Sequence, residues 1–251
     1  LSIPVSRLKH FFLGGWNVAR PGTKAQTKSR AGSAPQGARS LAEAAYETIE
    51  EMIVTCALKP GGMISESHLC RELAMGRTPI REALARLRQI GFVEVHHRRG
   101  VLVSRVDVIR HLELLEVRRP LEEAVVRGAA ERAKENDLSE MRDTARDLEA
   151  AAKRGDRLGY FRLKRRIHEI EVRAAYNPVL SETMRPLHAQ SRRFWYTYEP
   201  TESFTHGARL HGAIARHVCK RDAKGAAKAV AALFAFLERL TRAALERRPL
   251  V

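Results

Sequence analysis

Residues 65–103, SESHLCRELAMGRTPIREALARLRQIGFVEVHHRRGVLV, decide how this chain is read. The run predicts two short helices about a turn, then two strands joined by a basic hairpin. Ser65 or Ser67 can cap the first helix, whose apolar Leu69 and Leu73 stand four apart. Ala74-Met75-Gly76 interrupts the pattern, and Gly76 is the residue expected to take the tight-turn conformation. Pro79 falls in the first turn of the second helix, where a missing N–H costs nothing. Ile80, Leu84, Leu87 and Ile90 make its inward side, and Arg77, Arg81 and Arg88 share a narrow arc beside it. Arginines at the start of a second helix suit entry into a DNA major groove. A guanidinium donates two parallel hydrogen bonds to guanine or grips phosphate. Residues 92–95 and 100–103 read as a β-ribbon whose tip, His96-His97-Arg98-Arg99, is a positive wing. Against this, helix-turn-helix geometry also occurs in proteins that bind no nucleic acid.

The same run resembles the winged helix-turn-helix of the GntR family of bacterial transcription regulators, most specifically in RTPIREAL. The resemblance implies DNA-contacting roles for Arg77, Thr78, Arg81, Arg99 and Gly100. Two positions depart from it: Ser67 stands where members commonly have Arg, and Gly76 where they have Ser or Thr.

Upstream, residues 40–58 predict a helix capped by Ser40, with Glu43 completing a capping box and Leu41, Ala45, Ile49, Met52, Ile53 and Cys56 on its apolar side. Lys59-Pro60-Gly61-Gly62 ends it. Residues 1–39 carry seven Lys or Arg and no acid, and read as a disordered basic arm before the DNA-binding domain of residues 40–106.

From Asp107 onward the periodicity is helical throughout. It predicts about six helices in a separate all-α domain over residues 107–251, with Pro120 and Pro186 as kinks or breaks. The fold class expected is thus mostly α, a winged head followed by a helical bundle. LEVRRPLEEAVVRGAAERA, IHEIEVRAAYNPVL and LHGAIARHVCKRDAKGAA, in that order, resemble the FCD domain of one GntR subfamily, so the bundle is expected to bind an effector and dimerise. Many FCD domains hold a divalent metal with one Asp and three His. Here the Asp position is Lys164, His168 and His211 remain, and Leu233 stands near the third His. A protonated lysine repels a cation, so no metal or other cofactor is expected. Lys164 lies on a helix apolar on both flanks, and a buried ammonium needs an anion. It is expected to anchor a small organic acid, with His168, His211 and Arg118 around it, or else to pair with Glu122 or Glu171. The rings of Phe194-Trp195-Tyr196 are expected to pack rather than bind.

The 251 residues carry a formal net charge of +16, which favours a polyanionic partner. Three scattered cysteines without CxxC spacing argue against a disulfide framework. No apolar run reaches a membrane span, and no signal-peptide core forms. Taken with what the GntR and FCD resemblances imply, the sequence points to a cytoplasmic, homodimeric, effector-controlled regulator, most simply a repressor, whose partner is an operator in double-stranded DNA. Its rivals are a constitutive DNA-binding dimer and a metal-dependent enzyme on an α-bundle. For the enzyme the sequence offers no complete ligand set and no nucleophile–base pair.

Overall fold

The computed structural model describes residues 40–96 and 100–246. The basic arm and the wing residue Arg99 lie outside the described residues. The chain divides between Ser104 and Arg105 into two compact units.

In the first unit, helix α1 (Leu41–Val54) starts at Ser40, whose Oγ accepts the Glu43 N–H at 3.1 Å. Ala45, Ile49, Met52 and Ile53 are buried, as their spacing requires. Leu41 is not, because it sits at the exposed first position, and Cys56 lies past the helix end with φ of 57°. Helix α2 (Glu66–Leu73) takes Ser65 as its cap, the Oγ accepting the His68 N–H. The turn corrects one expectation. Ala74, not Gly76, adopts the left-handed conformation (φ 52°), while Gly76 is extended and precedes helix α3 (Arg77–Gln89). The chain must reverse directly after α2 and then straighten to begin α3, so strain of about 1 kcal/mol falls on Ala74. Arg86 clamps α3 to α1, bonding Glu43 at 2.7 Å while lying 4.0 Å over the Tyr46 ring.

Three antiparallel strands complete the unit: β1 (Met63–Ile64), β2 (Val93–His96) and β3 (Gly100–Val103), with β3 central. The two-residue β1 escaped the sequence pattern, being too short to show alternation. It pairs Ile64 with Val101 and Met63 with Leu102. Val101 and Val103 point into the core, as period two demands. Gly100 has φ of 107°, and a Cβ there would stand 2.8 Å from the Ile64 carbonyl oxygen. Only glycine lets β1 and β3 approach at that point. Gly100→Ala is therefore expected to cost about 1–3 kcal/mol, measured as a lower midpoint in chemical denaturation.

The second unit is helical: α4 (Val108–Arg132), α5 (Glu135–Lys153), α6 (Arg157–Ala174), α7 (Pro178–Tyr198), α8 (Phe204–Cys219) and α9 (Ala223–Glu246), with a 3-10 turn at Thr201–Ser203. Asp107, Asp156 and Asn177 cap α4, α6 and α7 through side-chain oxygens. Pro120 and Pro186 break neither helix, because apolar packing on the flanking turns outweighs one lost hydrogen bond. Leu115, Met141, Leu148, Ile167, Phe194 and Phe234 are among the buried residues of a shared core. Among the described residues no helix is long and apolar enough to cross a membrane.

Candidate nucleic-acid interface and interior polar site

The reading head is built from the start of α3. Ile80, Leu84 and Leu87 bury one side of that helix, which leaves Arg77, Thr78, Arg81 and Arg88 exposed on the other. Gly76 offers no side chain to cap α3, so the first-turn N–H groups stay open to phosphate. Arg81 donates from Nε to Glu66 Oε2 at 2.8 Å. That bond aims the guanidinium and leaves its terminal amino groups for a base edge or phosphate. At 63% side-chain exposure the pair is worth little as a stabiliser, so its consequence is orientation. Gly100 lies at the first position of β3, where its role is the close backbone approach already described.

The helical unit carries a second concentration of polar groups, all interior. On α4, His111, Arg118 and Glu122 are buried on one line. Arg118 donates to Glu122 Oε2 at 2.9 Å and to Ser191 Oγ at 2.8 Å, and its guanidinium lies over Phe234. Trp195 Nε1 also donates to Ser191. Glu122 receives His188 Nε2 at 3.1 Å. Burial alone would raise the Glu122 pKa, but Arg118 and His188 reverse this and hold it at about 2.

Lys164 is buried on α6, as expected, and its partner is neither Glu122 nor Glu171. It donates to Glu199 Oε2 at 2.8 Å, at the end of α7. Tyr160 and Ser203 donate to the other Glu199 oxygen. Burial lowers the Lys164 pKa, with Glu199 pulling it back. Glu171 carries a carboxyl group raised well above its ordinary range, by burial first and Glu122 second.

His168 and His211 face one another with ring centroids 5.1 Å apart, and His188 stacks on His168 at 4.5 Å. Among the described residues, neither nitrogen of His168 or of His211 has a hydrogen-bond partner, and the same holds for His111 Nε2 and Glu171 Oε1. Burial keeps all of these imidazoles neutral, with His211 lowered to about 3. A neutral ring offers one donor and one acceptor, so this interior is short of partners. Phe194 and Trp195 pack as expected, Phe194 stacking on His111 at 3.7 Å.

The four metal positions implied by the FCD resemblance do not fit an ion. The ammonium of Lys164 is committed to Glu199, and Leu233 is an apolar core residue. His188, Glu199 and Ser191 were missed by sequence reasoning as members of this site. Their signal was present: Met184, His188, Ser191 and Trp195 recur at helical spacing along one side of α7.

Comparison with known proteins agrees with this anatomy. The model of bacterial regulatory proteins of the gntR family matches residues 41–103, and that of the FCD domain matches residues 113–236. An HTH-type transcriptional regulator of Agrobacterium vitis, from the TAR-I ttuE-ttuC' intergenic region, is 32% identical over 135 residues, 53% of this chain and 79% of the relative. The HTH-type transcriptional repressor RspR of Escherichia coli is 25% identical over 151 residues, 60% of this chain and 66% of the relative. Among solved structures, E. coli McbR/YncC superposes with a TM-score of 0.73 at 21% identity, covering 82% of this chain and 98% of that one, which speaks to the fold. The chain belongs to the GntR family and carries an FCD domain. It is a DNA-binding transcriptional regulator of that type.

The buried histidines set an acid limit on stability. His211 titrates at about 3 when folded and at about 6.5 when unfolded. Between those values the unfolded chain binds the extra proton, so stability falls as pH drops below about 6.5. Glu122 adds loss of the same sign in more acidic solution, and the raised Glu171 opposes it. His211→Leu should flatten the slope of unfolding free energy by about 1.4 kcal/mol per pH unit between roughly pH 6 and 4, measured by denaturant titration at each pH.

Proposed function

We propose that this regulator is a homodimeric repressor whose operator affinity is set by a small organic acid bound inside the helical unit. Arg77, Thr78 and Arg81 contact the operator from the start of α3. Arg99 and Gly100 are assigned to the wing on the family resemblance. Arg118, Lys164, His168 and His211 line the effector site. The observation that carries the effector reading is the set of buried imidazole nitrogens without partners. Their N–H groups suit carboxylate oxygens, and leaving each unmet costs on the order of 1–3 kcal/mol. The name of the relative RspR supports repression. Effector binding would favour one arrangement of the helices over another and so alter how the paired heads dock on two half-sites.

A constitutive DNA-binding dimer is the second reading. It is favoured by one observation: Arg118 and Lys164 are already neutralised by Glu122 and Glu199.

Gel-shift titration tests the head. Arg81→Ala should weaken operator binding by roughly tenfold or more while changing non-specific binding far less; equal losses would reduce Arg81 to a phosphate contact. Calorimetry with a panel of small organic acids tests the interior. Saturable binding by the wild type, weakened at least tenfold in His211→Leu, is expected. Heat from no acid in the panel would favour the constitutive dimer.

A further inference from the structure

We propose that the exposed basic side of α8 and α9 is a docking surface for the phosphate backbone of duplex DNA, separate from the reading head and indifferent to sequence. The head itself brings no net charge, since residues 40–104 carry eight Lys or Arg and eight Asp or Glu. Two of its arginines, Arg81 and Arg86, are also engaged by Glu66 and Glu43. Such a head can place contacts, but it exerts little long-range pull on a polyanion. That pull follows the cations free to replace counterions on phosphates. Residues 105–251 carry thirty Lys or Arg against twenty-one acids, and the excess is uneven. Over 105–200 the balance is twenty to seventeen, whereas α8, α9 and their connection, residues 204–246, carry eight against three.

All eight of these cations are exposed. Arg216 on α8 and Lys220 just past its end follow Arg209 by seven and eleven positions. At about 100° per residue the three gather within about 40° of one another. On α9, Lys224, Lys228, Arg239 and Arg242 fall within about 60° by the same measure. The α9 line is about 27 Å long at 1.5 Å per residue, about the length of eight base pairs. Ala231 and Ala235 are the residues on that side between its two ends, so nothing bulky separates the cations from an approaching rod. The two helices pack against one another, and neighbouring elements therefore carry the two basic lines.

The acids nearby do not neutralise this side. Asp222 caps α9, accepting the Gly225 N–H at 2.8 Å, and pairs with His217. Arg216 reaches Glu149 of α5 at 3.4 Å with 61% side-chain exposure, a pair that costs little to open. Among the described residues no ion pair holds Arg209, Lys220, Lys224, Lys228, Arg239 or Arg242. Elsewhere on the unit, exposed arginines do have acids: Arg110 pairs with Glu113, Arg119 with Glu123, Arg146 with Asp143 and Arg166 with Glu140. A duplex supplies what α8 and α9 lack, about one anion per 1.7 Å of axis whatever its bases. An anionic lipid surface fits less well, because alanines rather than large apolar side chains stand between the α9 cations.

The test uses the full chain and a labelled duplex of scrambled sequence, titrated by fluorescence anisotropy across a range of salt concentrations. A fourfold variant, Lys224→Gln, Lys228→Gln, Arg239→Gln and Arg242→Gln, should flatten the slope of log K against log salt by about 2–4 units. At about 0.1 M salt it should bind roughly tenfold more weakly or worse. A charge-matched control, Arg110→Gln, Arg119→Gln, Arg146→Gln and Arg166→Gln, should flatten the slope by less than about one unit. Lys224→Gln with Lys228→Gln alone, expected to flatten it by about 1–2 units, decides the matter if the fourfold variant does not fold. A wild-type slope in the fourfold variant, or equal flattening by the control, overturns the proposal. So does a fourfold variant that keeps its DNA slope but no longer sediments with phosphatidylglycerol vesicles, which would give the surface to lipid. Preference for operator over scrambled duplex should persist in the fourfold variant, since base contacts belong to the head. Its loss would make the surface part of base reading and overturn its indifference to sequence.

Discussion

The helical unit is organised around a buried ion pair, Arg118 to Glu122, with both side chains 2% exposed. Removing two charges from water is expensive, and attraction between them rarely does more than break even. The pair is tolerated because further partners meet both of its groups. Ser191 takes a second guanidinium hydrogen, Phe234 lies beneath the cation, and His188 meets the carboxylate. Its consequence is specificity of packing rather than net stability: another register of α4 on α7 would break the bonds of the pair to Ser191 and His188. Losing one partner alone would expose that cost, about 3–5 kcal/mol for a pair this deep.

A second buried pair, Lys164 to Glu199, repeats the logic one layer away, joining α6 to the end of α7 with Tyr160 and Ser203 completing the acceptor. Two satisfied pairs beside three unsatisfied imidazoles make an uneven interior. His111, His168 and His211 sit among charges that cancel, yet carry nitrogens that meet no partner among the described residues. The proposed effector site rests on that unevenness, and the outer brace from Trp195 through Ser191 and Arg118 to Glu122 gives this interior a fixed wall.

The reading head follows a different economy. Its arginines are exposed and gain little from their partners, so they act by placement. Arg86 fastens α3 to α1 through Glu43 and Tyr46, Glu66 aims Arg81, and Gly100 lets the short strand β1 close the sheet. Each contact turns a flexible cation or loop into one held at a set position before DNA arrives.

What residue order determined by itself was local and periodic. The capping serine before α1, the inward stripe of α3, the arginine arc and the alternation of Val101 and Val103 all follow from period and propensity. The family resemblance followed from the same run. Burial of Lys164 was also legible, since its helix is apolar on both flanks. Three things were not. The left-handed residue of the turn fell on Ala74 because chain reversal, not propensity, chose it. Strand β1 is too short to carry a pattern. The partner of Lys164 proved to be Glu199, thirty-five positions away, and Glu122, His168 and His188 lie on three separate helices. Spacing along one helix reports which side a residue faces, but not which residue from another helix will face it; only packing decides that, because burying charge forces each group to find whatever partner the fold brings near.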